Sequence, residues 1–341
     1  MVKFFRHTLF IFAAAILPVT LAQAATPGQK KHSAKKHLLH KKIIGKSATG
    51  HLVKHTIVVN GKRRVIIDRA AFAPVVIENL SAGDIAGLKH TQDPLALQSN
   101  VAYVVDQASS KVLFEKNSNV SLPIASITKL MTSLVVVESN QDMNEIIEVT
   151  TDDLDKEKGT GSRLQMGAKL SRADMLHIAL MSSENRAASA LGRSYIGGLP
   201  AFVAAMNAKA KQLGMTDTHY VDSSGLSSHN VASARDLVKL IIAAYQHPRI
   251  REYSTDSRYV VNPSGRPLQY STTNKLVASP GWDIGLQKTG YIAEAGRCLV
   301  MQAMIEGRAI VMVFLDSKGK YSRLADAGRI RKWLETLKPQ A

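Results

Sequence analysis

Ser126 and Lys129, three positions apart, are the pair in this 341-residue sequence best suited to chemistry. They open an apolar stretch predicted as a helix over 127–138, just after Pro123. A spacing of three at a helix start puts both side chains on one face, so the amine can reach the hydroxyl. A serine hydroxyl becomes a good nucleophile only when a neighbouring base takes its proton, and a lysine at its usual pKa of ~10.4 is nearly all protonated at neutral pH. Lys129 can therefore serve as base only if burial or a nearby cation lowers that value, and Lys288 is the expected cation. The helix start also leaves N–H groups unpaired, which makes the backbone N–H of Ser126 an expected donor to an acyl oxyanion.

The spacing alone selects nothing, because S-x-x-K also occurs at Ser33/Lys36 and Ser317/Lys320, and S-x-N at Ser228/Asn230 as well as Ser183/Asn185. Ser33 sits in a low-complexity tail and Ser317 follows a predicted strand, so only Ser126 has a helix to open. Ser183-Glu184-Asn185 falls between two helical patterns, where a loop can present a hydroxyl to relay a proton and an amide to hold a substrate amide. The alternative is that Ser183 simply caps the following helix. Lys288-Thr289-Gly290 lies on a predicted strand, with Lys288 and Gly290 on one face and Thr289 on the other. A cationic Lys288 and the Thr289 hydroxyl can attract a carboxylate, and Gly290 leaves room for a peptide backbone to approach an edge strand.

The elements that must position these groups follow from periodicity. Strands are predicted at 102–105 and 112–114 around a turn at 107–110, then helices at 127–138, 171–181 with Ser171 as N-cap, 185–195, 200–213 and 234–245. Strands return at 285–291, 297–305 and 309–317, before a last helix at 323–337. Strands, helices and strands in that order give an α+β fold: an antiparallel sheet flanked by helices, with a mostly helical subdomain. Cys298 is the only cysteine, so no intrachain disulfide forms, and its apolar surroundings predict a buried strand residue. No internal repeat and no metal-ligand motif is present, so the expected metal set is none.

The N-terminal region reads differently. Lys3, Arg6 and His7, an apolar run over 9–21 and Ala22-Gln23-Ala24 make residues 1–25 an expected signal peptide, so the mature chain is expected outside the cytosol. Of the net charge of +17, residues 1–64 hold thirteen Lys or Arg and no Asp or Glu. Residues 26–98 are accordingly expected to be a basic, disordered leader with a small hairpin at 55–67 around Asn60-Gly61, ahead of a folded domain at 99–341. Export and the lack of interleaved aromatics argue against nucleic acid as a partner, and leave an anionic wall or membrane surface as the expected one.

With Ser126-Ile127-Thr128-Lys129, Ser183-Glu184-Asn185 and Lys288-Thr289-Gly290 in order, the sequence resembles the penicillin-recognising serine enzymes. Asp222-Ser223-Ser224-Gly225-Leu226, Thr273-Asn274-Lys275-Leu276, the run 285–291 and Glu294-Ala295-Gly296-Arg297-Cys298-Leu299-Val300 extend the likeness over about 100–337 to the low-molecular-mass D-alanyl-D-alanine peptidases. Ser183-Glu184-Asn185-Arg186-Ala187-Ala188 is most similar to the penicillin-binding protein 7 type of D-alanyl-D-alanine endopeptidase. The resemblance implies a β-lactamase/transpeptidase-like fold and a periplasmic hydrolase acting on peptidoglycan peptides, with β-lactams as covalent inhibitors and no cofactor. It further implies Ser126 as nucleophile, Lys129 as proton acceptor, Ser183 as relay, and Asn185, Lys288, Thr289, Gly290 and Tyr291 as substrate-binding residues, the Tyr291 N–H completing the oxyanion site. Carboxypeptidase action on pentapeptide ends and a non-catalytic basic wall-binding protein are the alternatives. A class A β-lactamase would need a deacylating glutamate, and Glu252 is the only one between Asn185 and Lys288.

Overall fold

A computed structural model describes residues 52–59, 62–69 and 80–337, and the chain divides into two units, 1–75 and 76–341. In the first unit, β1 (Leu52–Val59) and β2 (Lys62–Arg69) pair antiparallel with Val59 opposite Lys62, leaving only Asn60-Gly61 between them. The expected signal peptide and most of the expected leader lie outside the described residues.

The second unit starts earlier than the expected boundary at 99. Helix α1 (Ala82–Ile85) is capped by Ser81, whose buried hydroxyl donates to Asp316 at 2.8 Å. Asp93 pairs with Lys116 at 2.8 Å, and the N–H groups of Gln98 and Ser99 donate to buried Asp326. These anchors are polar and distant in sequence, so local apolar periodicity does not register them.

Strands β3 (Ser99–Asp106) and β4 (Val112–Lys116) open the sheet. The two-residue β5 (Leu122–Pro123) then leads to α2 (Thr128–Glu138). Helix α2 is buried on every side from Thr128 to Val136, which marks it as the centre of the unit. Around it stand the hairpin β6 (Ile146–Glu148) and β7 (Lys169–Ser171), then α3 (Arg172–Met181), α4 (Asn185–Arg193) and α5 (Gly198–Gln212). Ser171 caps α3 as expected, accepting from Asp174 N–H. Strand β8 (Val231–Ala232) pairs with β5 and holds the approach to α2 in place. Helices α6 (Ala234–Tyr245) and α7 (Pro248–Thr255) and the hairpin β9 (Arg258–Val261) and β10 (Leu268–Ser271) return the chain to the sheet.

The ten-residue strands β11 (Asp283–Ile292), β12 (Gly296–Ile305) and β13 (Arg308–Ser317) complete it, and α8 (Ser322–Thr336) follows. The sheet order is β11-β12-β13-β3-β4, every pair antiparallel. Alternate residues supply two cores. Leu299, Met301, Met312 and Phe314 face α8 with Ile330 and Leu334, while Cys298, Val300, Val311 and Val313 belong to the larger core with α2 and α6. The antiparallel, helix-flanked α+β architecture is thus the one expected, and β11, carrying Lys288-Thr289-Gly290, is an edge strand. Cys298 is a fully buried residue of β12, and burial pushes its thiol up to about 12.

Candidate active site

Ser126 lies two residues before α2, in a 3-10 turn spanning Ala125–Ile127. The turn is strained, since Ala125 has φ 49°, a left-handed value that costs a non-glycine residue on the order of 1 kcal/mol or more. Two glycines grip it. Gly225, at φ +81°, packs so closely on the Ala125 carbonyl that a Cβ there would overlap it. A Cβ on Gly290 would stand 2.8 Å from the Ile124 carbonyl and 3.2 Å from the Ser126 nitrogen. Fully buried Asn230 closes the grip: its carbonyl accepts from Ile124 N–H, and its amide donates to the Thr128 hydroxyl, which in turn donates to the Ala125 carbonyl. The Ser126 N–H donates to no described residue and is free to serve an incoming oxyanion.

Lys129 is fully buried, and its Nζ donates to Ser126 Oγ at 2.8 Å, Asn185 Oδ1 at 2.8 Å and the Ser224 carbonyl at 2.6 Å. Burial lowers its pKa to about 7, against the opposing pull of Asp222 and Glu184. The sequence names Lys288 as the cation responsible, and the structure corrects this: desolvation is what lowers Lys129. The mutual repulsion falls on Lys288, also fully buried, which desolvation first and then the charges of Lys129 and Arg323 hold well below the ordinary lysine range.

Lys288 Nζ donates to Ser183 Oγ at 2.9 Å and to the Thr289 carbonyl at 2.8 Å. Ser183 has φ 65° and does not cap α4; that role falls to Glu184, whose carboxylate accepts from Arg186 N–H and from the hydroxyls of Ser162 and Tyr270. Asn185 is occupied on both ends of its amide, Oδ1 by Lys129 and Nδ2 by Thr160 Oγ1 at 3.0 Å. It therefore positions the lysine in this state, where the sequence assigns it to a substrate amide.

Along β11, Gln287 N–H donates to Ser254 and the Thr289 carbonyl accepts from Lys288, so the odd-numbered residues turn their backbone groups off the sheet edge. With the register unbroken to Tyr291↔Arg297, the Tyr291 N–H shares that direction. The Tyr291 side chain is exposed and stacks under Arg297, its ring centroid 4.4 Å from the guanidinium carbon. The room left by Gly290 goes to the chain's own Ile124–Ser126 backbone, not to a substrate peptide as the sequence reading has it. The Thr289 hydroxyl meets that of Thr273 at 2.6 Å. Thr273 lines a basic cavity of 330 Å³ with Lys275, Arg297, Lys320 and Arg323. Arg323 is 8% exposed, and its Nε and Nη1 have no hydrogen-bond partner among the described residues.

A second, open cleft of 540 Å³ starts at Ser183 and Asn185 and is bounded by residues 161–163 and by Tyr270 and Ser271. Glu252, the one candidate for a deacylating glutamate, lies on α7, where its charge is felt by His177 and Tyr253.

The structure thus brings Ser126, Lys129, Ser183, Asn185, Lys288, Thr289 and Gly290 together, with the Tyr291 N–H directed off the adjoining edge. Sequence reasoning misses Arg323, Asn230 and the grip of Gly225. It quotes Asp222–Leu226 as part of the likeness but misses the role of Asp222, whose carboxylate gathers the N–H groups of Ser224, Gly225 and Ser227 and so aims the Ser224 carbonyl at Lys129. A glycine-bearing loop headed by aspartate was the only signal available for that element.

Residues 88–319 match the family model described as D-alanyl-D-alanine carboxypeptidase, peptidase S11. The chain is 46% identical over 253 residues to a D-alanyl-D-alanine endopeptidase of Pseudomonas aeruginosa, covering 74% of this chain and 81% of that one. It is 43% identical over 268 residues to a D-alanyl-D-alanine endopeptidase of Escherichia coli, covering 78% and 84%. Among solved structures, a D-alanyl-D-alanine carboxypeptidase from Mycobacterium tuberculosis superposes with a TM-score of 0.64 at 26% identity, over 71% of this chain and 93% of that one.

Proposed function

Because this chain belongs to the S11 family of serine D-alanyl-D-alanine peptidases, we propose that Ser126 is its acyl-enzyme nucleophile and that it cuts D-alanyl bonds in peptidoglycan cross-links. The observation that carries the assignment is the fully buried Lys129 amine, 2.8 Å from Ser126 Oγ and lowered to about 7. In its neutral form that amine accepts the Ser126 proton as Oγ adds to the D-alanyl carbonyl carbon. The oxyanion so formed sits between the N–H groups of Ser126 and Tyr291, and such a donor is worth roughly 10²–10³ in rate. Collapse of the intermediate breaks the C–N bond. Ser183 gives its proton to the departing nitrogen and recovers the one that Lys129 took from Ser126, so Lys129 is neutral again, while Lys288 holds the Ser183 hydroxyl in place. Water, deprotonated by Lys129, then releases the acyl group and restores Ser126.

The basic cavity receives the carboxylate next to the scissile bond. Arg323 offers unpaired, desolvated N–H groups there, and a carboxylate arriving beside Lys288 favours its protonated form. Endopeptidase action is the reading because three relatives at 41–46% identity carry that name; release of terminal D-alanine from pentapeptides is the second. Both present the same carbonyl to Ser126.

Intact mass of the purified protein after incubation with penicillin tests the assignment. One penicillin added to the wild type and none to a folded Ser126→Ala variant is expected. An adduct on Ser126→Ala, or none on the folded wild type, removes it.

The proposed setting is the periplasm, reached through the signal peptide at 1–25, with the basic segment 26–54 holding the enzyme to an anionic surface. Deleting 26–54 is expected to weaken binding to purified sacculi in a salt-dependent way and to spare acylation. Unchanged binding would count against the tether.

A further inference from the structure

We infer that the cleft carrying Arg163 receives the second stem peptide of a cross-link, with the Arg163 guanidinium reading one of its carboxylates, so that this residue tells a cross-link from a free peptide end. The inference rests on the peptidase reading above and adds to it the residue that selects the leaving group.

The cleft adjoins the reaction centre, since Ser183 and Asn185 form one of its walls. It also adjoins the proposed carboxylate cavity, because Ser271 lines the one and Thr273, two residues on, lines the other. A leaving group whose carboxylate sits at Arg323 and whose nitrogen faces Ser183 therefore continues, if it is longer than one residue, into the Arg163 cleft. A departing D-alanine ends at Arg323 and has nothing further to place. A departing stem peptide has more chain and more carboxylates, and 540 Å³ is room for several residue-sized groups.

Arg163 is built to meet such a group. Its guanidinium carbon lies 4.8 Å from the centroid of the buried Tyr270 ring, which fixes the planar fork without using its N–H donors. No described residue accepts a hydrogen bond from that guanidinium and no carboxylate pairs with it. The one acid in the cleft wall, Glu184, is already taken by Ser162 Oγ at 2.6 Å, Tyr270 OH at 3.3 Å and Arg186 N–H at 3.3 Å. A guanidinium that is exposed in the cleft, held flat on a buried ring and left with a free fork favours a bidentate carboxylate.

The test compares Arg163→Ala, Arg163→Lys and wild type on two muropeptides, a cross-linked dimer and a pentapeptide monomer, with the rate of penicillin acylation measured alongside. Arg163→Ala is expected to lower kcat/KM on the dimer about tenfold, mostly through KM, and to leave the pentapeptide and the penicillin unchanged. Arg163→Lys should recover part of the loss as a point charge without the fork. Equal losses on both substrates would make Arg163 a structural support of Tyr270, and no loss on either would leave the cleft without this role; both results overturn the inference. If the wild type itself takes no penicillin, it is the peptidase reading that has failed.

Discussion

Changing Asn185 to aspartate should move the pH at which this enzyme starts to work. In the wild type, a Lys129 amine lowered to about 7 is half neutral at pH 7, whereas an ordinary lysine would be neutral to only about three parts in ten thousand. Taking the neutral fraction as the active one, about one-tenth of the enzyme is competent at pH 6 and about nine-tenths at pH 8. Penicillin acylation should thus rise about tenfold over that interval and then level. Asn185→Asp replaces the amide oxygen 2.8 Å from Lys129 Nζ with a carboxylate oxygen. A negative charge at that distance favours the ammonium, and close opposite charges raise a lysine pKa by about one to three pH units. The inflection should move to about 8–10. The rate at pH 7 should fall between about fivefold and five hundredfold, and alkaline pH should restore most of it. Stopped-flow acylation with a chromogenic cephalosporin from pH 5.5 to 10 reads the whole curve. If the wild type shows no inflection between pH 6 and 8, or Asn185→Asp lowers the rate without moving it, Lys129 is not the base, or burial is not what tunes it.

Three further outcomes are expected. Gly225→Ala forces an alanine into φ +81° and its Cβ into the Ala125 carbonyl, so acylation should fall at least a hundredfold and stability by about 2 kcal/mol or more; Gly167→Ala, at φ +76° with nothing within 4 Å, should cost only the backbone term and leave acylation alone. Wild-type acylation by a folded Gly225→Ala enzyme would mean that the turn is not held as described. Arg323→Gln should raise KM about tenfold for the pentapeptide and less for a substrate amidated at its C-terminal carboxylate; equal effects on both would remove the carboxylate from that cavity. Urea stability should rise between pH 7 and 8.5, because the unfolded chain keeps its lysine protons there while folded Lys129 gives up its own. Fewer protons on the folded state mean a positive slope, about 1.4 kcal/mol per pH unit for each proton, and Lys288 acts in the same direction; a flat or falling curve would contradict both burials.

Much of the fold and most of the site are legible in the sequence, for identifiable reasons. The C-terminal strands and α6 repeat their periods cleanly, and Ser171 announces α3. The short pairings β5–β8, β6–β7 and β9–β10 leave no comparable trace, being two to four residues long and set by what surrounds them. Ser126, Lys129, Ser183 and Lys288 are found because each lies in a short motif of reactive types and the three motifs occur together in order. Arg323 is not, since an arginine at the start of a helix is unremarkable until its guanidinium is seen buried, with Nε and Nη1 unpaired among the described residues. The origin of the Lys129 shift is hidden for the same reason: burial belongs to the assembled α2, and no neighbour in sequence reports it.

The grip on the Ser126 turn has a consequence for when the enzyme comes into being. One jaw is the Asp222 loop and the other is the last edge strand, and both reach the chain after the turn they hold. A polypeptide still emerging therefore has Ser126 and Lys129 but neither their alignment nor the dry pocket that lowers the amine. Chemical reactivity arrives only once β11 has closed on the turn, which makes covalent penicillin labelling a reporter of folding as much as of catalysis, and keeps the chain inert until that later strand has met the earlier turn.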